Sequence, residues 1–292
     1  MSAIRNRFRA GKWAAKQERA AHGDPRSEPW ESAIRASDPS TDRRVCNICG
    51  WHGADFDGTA HSEMAGCPSC GSIARDRFLF WCWTHRVSHD AGARVLETSP
   101  RLGSEYRDRM AAIVDYTASD YDQSAHKAMI SLDLQAIDLP DACLDVVLTP
   151  HVLEHVPDTE SALSELFRVL RPGGSILLMI PMPQSKTAPP VTPEYHGDNT
   201  LVFWRFGWDL REKLEAAGFV VTCLVPGPLI DRVRAGGAGL DSGYSDGSLD
   251  EVELLSACDP DSLTSIANGD ESTRYGFVPD VHFICWHCEK PA

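Results

Sequence analysis

From Arg94 onward the chain alternates between short apolar runs and amphipathic stretches, the pattern of a parallel sheet with crossover helices. Val95-Leu96-Glu97 predicts a first strand, Leu102 to Met110 a helix, Val114 to Ser119 a second strand, and Ala128 to Leu132 a third that ends at Asp133. Leu144 to Leu148 (LDVVL) is nearly all apolar, as a strand buried on both faces requires. Thr159 to Leu170 sets Leu163, Leu166, Phe167 and Leu170 on one helical face. Arg171-Pro172-Gly173-Gly174 then stops the helix and turns into a strand over Ser175 to Ile180. Asp209 to Ala217 reads as a helix closed by Gly218 where a left-handed residue is wanted, and Phe219 to Val225 and Val281 to Trp286 supply two further strands.

Ahead of this α/β region the pattern changes. Cys46-x-x-Cys49 and Cys67-x-x-Cys70, each followed by Gly, stand 17 residues apart. Each turn aims two thiolates at one point, which is the spacing of a zinc ribbon, and four thiolates leave no open position for water. A structural Zn2+ is expected; His52 and His61 could replace a ligand, but nothing in the pattern favours them. Ile73 to Val87 reads as a helix with an apolar middle, Phe78 to Trp83, that packs the ribbon against the next domain. Three regions result: a basic, flexible arm over 1–44, the ribbon and its helix over 45–90, and the α/β domain over 91–292. Within the last, residues 226–280 form an acidic Gly/Ser/Asp-rich insert, read either as disordered or as a lid over the substrate.

The net charge of −14 is unevenly spread. Residues 1–45 hold ten Lys/Arg against six Asp/Glu and carry +4, so the remainder, with 18 basic and 36 acidic residues, carries −18. An acidic catalytic domain repels phosphate backbones, which argues against a large nucleic-acid substrate. The strongest apolar run, Ile176 to Ile180, is far short of the about 18 residues that span a bilayer. The N-terminus lacks an apolar secretory segment, and C-x-x-C knuckles point to a reducing compartment, so the cytoplasm is the expected location. Cys285-x-x-Cys288 lacks a partner pair and starts inside an expected strand, which suits core packing.

In an open parallel sheet, ligands bind at the carboxyl ends of the strands. That rule selects Glu97, Asp120, Asp133 and the Pro150-His151 region, three carboxylates and a loop suited to gripping a nucleoside. The segments HVLEHVPD (His151 to Asp158) and SELFRVLRPGG (Ser164 to Gly174), followed by a buried strand and Ala217-Gly218-Phe219, resemble the class I S-adenosylmethionine-dependent methyltransferases. More narrowly, they are similar to the subgroup that carries LEHV after the fourth strand. The similarity covers roughly residues 94–225, with a looser fit at 275–286. It implies a Rossmann-like seven-stranded sheet with helices on both faces, and S-adenosylmethionine as cofactor. By the resemblance, Glu97, with Thr98, Ser99 and Gly103 of its loop, falls beside the methionyl amino group. Asp120 falls at the ribose hydroxyls, with Asp115 the rival if the register shifts. Asp133 and the Leu134 amide fall at the adenine edge. Thr149, Pro150 and His151 fall beside the sulfonium and the acceptor. The family's glycine loop reads here Glu97-Thr98-Ser99-Pro100-Arg101-Leu102-Gly103, with Gly103 alone retained. Ser99 and Arg101 would therefore narrow the pocket, giving a variant cradle; the cofactor has no phosphates, so a strict glycine loop is less necessary.

Methyl transfer needs an aligned nucleophile, exclusion of water and sometimes a base. His151 is the expected residue nearest the acceptor, with His155 one turn on; a neutral imidazole of either suits O-methylation. For His155 and Glu154 the bland alternative is that they cap and solvate a helix N-terminus. His196 is a further candidate, set against a plain surface histidine. The segment Phe203 to Trp208 suits either an acceptor pocket or core packing. The favoured function is O-methylation of a small molecule or glycan. Zinc-ribbon RNA methylation and a non-catalytic methyltransferase-like binding protein are the alternatives.

Overall fold

A computed structural model describes residues 44–53, 56–57, 66–87, 90, 92–181, 186–196, 199–226, 263–266 and 285–292. The basic arm up to Arg43, His61, most of the acidic insert and residues 281–284 of the expected last strand lie outside the described residues. The cysteine-containing region expected to be a ribbon comprises β1 (Arg44–Val45) and β2 (His52–Gly53), paired antiparallel, and an isolated bridge between Asp57 and Gly66. Helix α1 (Ala74–Arg86) follows. The α/β domain then runs β3 (Arg94–Thr98), α2 (Ser104–Ile113), β4 (Asp115–Asp120), β5 (Ile130–Ser131), β6 (Leu144–Pro150), α3 (Thr159–Val169) and β7 (Leu170–Met179). A hairpin of β8 (Glu194–Tyr195) and β9 (Leu201–Val202) precedes α4 (Leu210–Ala216), β10 (Val220–Pro226), β11 (Leu263–Ile266) and β12 (Cys285–Glu289).

The main sheet has the order β11-β10-β12-β7-β6-β3-β4-β5. Seven of its strands make the expected Rossmann-like sheet, in which β12 runs antiparallel to both neighbours and β7-β6-β3-β4-β5 are parallel. The eighth, β11, comes from within the acidic insert and pairs antiparallel to β10 at the edge. The sheet's middle is apolar on both faces, with Val95, Leu96, Val146, Val147, Leu148, Ile176, Leu177 and Leu178 all at most 2 % exposed.

Several boundaries differ from the sequence pattern, two of them in ways that bear on the sheet. The third strand shrinks to two residues, although its flanks still bond to β4, Met129 donating to the Ala118 carbonyl and Leu132 to that of Asp120. The fifth starts at Leu170, five residues before Ser175. Leu170 pairs with Leu144 as soon as α3 ends, and a register shift before Val146↔Ser175 absorbs Arg171 to Gly174, with Gly173 at φ 74°. α3 is capped by Asp158, whose carboxylate accepts from the Ser161 amide at 3.0 Å, and buries Ala162, Leu163, Leu166 and Val169. Gly218, at φ 103°, closes α4 in the left-handed conformation its sequence position called for.

Ribbon and sheet share one hydrophobic core. Cys46, Ile48, Phe56 and Cys67 join Phe78 to Trp83 of α1 and the sheet strands in a single buried cluster. The apolar middle of α1 therefore fastens the cysteine turns to the α/β domain and sets one side of α1 beside the sheet's carboxyl edge.

Candidate functional site

The cysteine turns are built alike. The Gly50 amide donates to the Cys46 carbonyl and Gly71 to Cys67, both at 2.8 Å, while the Cys46 and Cys67 amides donate to the carbonyls of Trp51 and Ser72. Gly50 and Gly71 sit at φ 73° and 69°, which glycine adopts without a Cβ clash. The four Sγ atoms all lie within 4.8 Å of one another, with Cys46–Cys70 at 3.8 Å and Cys49–Cys67 at 3.6 Å. Hydrogen bonding within the cluster brings the Cys67 thiol down to about 6 and lowers Cys70 further, while Cys46 and Cys49 are pushed up, so the thiolate charge falls on Cys67 and Cys70. A buried cation answers it. Arg77 is 2 % exposed, stacks 3.8 Å over the Phe56 ring and donates to the Ser72 carbonyl at 2.5 Å.

At the carboxyl ends of β3, β4, β5 and β6 lies a cavity of about 1250 Å3. Glu97, Thr98, Ser99, Asp120, Asp133, Leu134, Pro150, His151, His155 and His196 all line it. Glu97 is 5 % exposed, and its Oε2 accepts from Tyr116 at 2.6 Å and Tyr106 at 3.0 Å. Burial outweighs those two donors and pushes its carboxyl up to about 7. Ser99 occupies the first glycine position of the expected loop and takes φ 48°, with its amide donating to the Ser119 carbonyl at 2.7 Å. The left-handed turn that glycine normally supplies is thus kept with a serine. Arg101 lines the cavity, but its guanidinium is turned to the Asp76 carboxylate and the Gly71 carbonyl, so it ties the loop to the ribbon instead of filling the hollow.

Asp120 is 8 % exposed; its Oδ2 meets His126 Nδ1 at 2.7 Å, and its Oδ1 accepts from the Asp122 amide at 3.1 Å. Asp133 Oδ1 accepts from the backbone and side-chain amides of Gln135 at 2.9 and 3.1 Å. Asp115, the rival to Asp120, lies opposite Arg94 at the other end of β4, away from the cavity. Gly103 is exposed and outside the cavity lining, where it precedes α2 and its carbonyl accepts from the Arg107 amide at 3.3 Å. Thr149 is buried in the sheet below the cavity.

Beyond β6 the chain turns sharply. His151 has φ 51°, and its amide donates to the Met179 carbonyl at 2.8 Å. A 3-10 turn, Leu153–His155, follows in place of a longer helix. Its geometry rules out the solvated reading of Glu154, which is 2 % exposed, while α3 takes its cap from Asp158. Glu154 Oε1 lies 3.7 Å from His151 Nδ1 and 3.8 Å from His155 Nε2. Burial pushes the Glu154 carboxyl up to about 8. The His155 ring meets His196 edge-on, with centroids 4.6 Å apart. The segment Phe203 to Trp208 divides: Phe203 and Arg205 line the cavity, while Phe206 is fully buried and Trp208 packs against Trp286. Cys285 and Cys288 are buried core residues.

Several lining residues lie outside the expected set. Arg75, Asp76, Leu79 and Phe80 of α1 form one wall, and His126 and Gln135 brace the carboxylates of β4 and β5. The i, i+1, i+4, i+5 spacing of the α1 residues marks a face on which polar and apolar positions meet; it signals a boundary helix without saying which cavity it borders.

Residues 101–178 match the methyltransferase domain family. A probable S-adenosylmethionine-dependent methyltransferase of Mycolicibacterium smegmatis is 38% identical over 94 residues, 30% of this chain and 34% of that one. A malonyl-[acyl-carrier protein] O-methyltransferase of Serratia marcescens is 42% identical over 55 residues, 19% of this chain and 21% of that one. The matches thus span about a third and a fifth of those relatives' lengths. A solved Thermotoga maritima S-adenosylmethionine-dependent methyltransferase, titled a possible histamine N-methyltransferase, has a TM-score of 0.43 at 13% identity, over 74% of this chain and 89% of that one. Both matched stretches of curated sequence are similar to proteins named for S-adenosylmethionine or methyl transfer, and the family match covers the loop after β3 through most of β7.

Proposed function

We propose that this chain transfers a methyl group from S-adenosylmethionine to an oxygen of a small molecule or glycan. The observation that carries the reading is the shared cavity into which Glu97, Asp120 and Asp133 open from successive strand ends. The residues fit the cofactor: the cavity has room for a nucleoside-sized ligand, and Ser99 at φ 48° reproduces the loop's left-handed turn. When bound, the cofactor supplies a methyl group activated by its sulfonium. Asp120, its rotamer fixed by His126, holds the ribose hydroxyls. Asp133 and the Leu134 amide take the adenine edge. Glu97, with Thr98 and Ser99, meets the methionyl ammonium, and ionises there because a cation offsets the cost of its burial. Pro150 and His151 border the reacting end. His151 takes the acceptor's hydroxyl proton, with His155 as the second basic group, while Leu79, Phe80 and Phe203 exclude water.

Cys46, Cys49, Cys67 and Cys70 hold a Zn2+ ion whose role is structural, supported by the Sγ separations and the buried Arg77. A thiolate site of this kind belongs in a reducing compartment such as the cytoplasm. No helix among the described residues is long and apolar enough to cross a membrane.

Incubating the protein with methyl-labelled S-adenosylmethionine and a fractionated cell extract tests the reading. Label in the small-molecule or glycan fraction is expected. Label in RNA would move the assignment to the zinc-ribbon RNA methyltransferases. Absence of label together with no binding of S-adenosylhomocysteine would leave a non-catalytic binding protein.

A further inference from the structure

We propose that Glu154, His155 and His196 form a divalent-cation site at the acceptor end of the cavity, distinct from the four-cysteine site, and that the cation engages an oxygen of the acceptor. Their ligand atoms lie within 4.8 Å of one another. Glu154 and His155 are adjacent on the 3-10 turn after β6, and His196 reaches them from the hairpin loop between β8 and β9. Metal bonds of about 2.1 Å place neighbouring donors about 3 to 3.5 Å apart, so closing from the 3.8 Å between Glu154 Oε1 and His155 Nε2 takes a small side-chain movement.

Two features point to an ion. Glu154 is 2 % exposed, and neither of its carboxylate oxygens has a hydrogen-bond partner among the described residues. A buried carboxylate without a hydrogen-bond donor on either oxygen is costly; its own amide and Arg75 offset only part of that cost, and a bound cation supplies a direct contact. His155 is also oriented as metal-ligating histidines are. Its Nδ1 lies 2.8 Å from the Leu201 carbonyl oxygen, so that nitrogen carries the proton and donates. The Nε2 lone pair is then presented on the side of Glu154.

One carboxylate and two imidazoles suit Zn2+, Mn2+ or Co2+ better than Ca2+ or Mg2+. Three protein donors leave coordination positions open, and His155 and His196 both line the cavity. His151 Nδ1, 3.7 Å from the same Glu154 oxygen, borders the site and remains available as the base, whereas an ion on Nε2 takes His155 out of that role. The acceptor role rests on the methyl-transfer reading; the ion site itself does not.

Cobalt(II) titration of the full chain, with zinc already filling the four-cysteine site, tests this. One further equivalent of Co(II) is expected, giving visible d–d bands without a thiolate-to-cobalt charge-transfer band. Glu154→Gln and His196→Ala should each weaken that equivalent by about 10- to 100-fold. His196 lies on a surface hairpin, so H196A keeps the test decisive should E154Q fail to fold. No further equivalent, or bands that both variants leave unchanged, would overturn the site. Titrating the same sample with S-adenosylhomocysteine separates the two readings. Cofactor binding without cobalt binding defeats the ion site alone, and cobalt binding without cofactor binding defeats the methyltransferase reading alone.

Discussion

The two halves of the cavity are assembled differently. The half assigned to the cofactor under the proposed methyl transfer draws its carboxylates from successive strand ends, Glu97, Asp120 and Asp133, all within a single continuous run of chain. The acceptor half is gathered from three distant places: α1 of the ribbon module, the turn after β6, and the 194–205 hairpin. The first half follows from sheet topology, which leaves strand ends nowhere else to point. The second depends on how the small cysteine module packs, so under the proposed function substrate choice would change there while the strand-end acids stay fixed.

The largest effect that breaks this comparison comes from the cysteine turns. Cys46→Ser should remove one equivalent of zinc, measured by elemental analysis. On the structural-zinc reading, a site worth on the order of 10 kcal/mol would tie α1 in place, so the unfolding temperature should fall steeply. Next, Asp120→Ala strikes the cofactor half alone. Loss of charge-assisted hydrogen bonds worth about 1.5 to 3 kcal/mol should weaken S-adenosylhomocysteine binding by roughly 10- to 100-fold in calorimetry, with zinc content unchanged.

Glu97 gives a pH signature. Its folded carboxyl titrates at about 7 against 4.5 for the ordinary value, because of burial. Its contribution to stability is therefore fully present below pH 4.5 and is lost as pH rises through about 7. Affinity for an ammonium-bearing cofactor should move the other way, increasing as the carboxylate forms. Glu97→Gln should flatten both slopes, read from melts and binding isotherms at pH 5.5 and 8. A smaller gain is expected from Ser99→Gly, which relieves a left-handed serine costing about 1 kcal/mol and should raise the melting temperature by about 2 to 4 °C. Arg101→Ala is the mildest change. Its exposed ion pair with Asp76 contributes about 1 kcal/mol or less, so stability should hold while cofactor affinity drops modestly as the loop loses its tie to the ribbon.

Much of this was legible in the residues. LDVVL announced a doubly buried strand, the C-x-x-C-G repeats gave their own turn geometry, and the acids at the strand ends marked the cavity. Gly103 shows where spacing misleads, since it keeps the loop's last glycine position yet lies outside the cavity. What stayed hidden was long-range. Nothing local ties Arg75 or Phe80 to a cavity formed by strands that follow them, and Glu154 reads as a solvated helix residue until the hairpin covers it. The pairing of His155 with His196 likewise requires a loop 41 positions away in sequence to fold back.

Isothermal titration of the purified, zinc-loaded protein with S-adenosylhomocysteine bears most directly on the claim that the strand-end acids cradle this cofactor. Saturable one-to-one binding that Asp120→Ala abolishes or weakens at least tenfold is the expected result. No heat, or binding indifferent to that substitution, would contradict it.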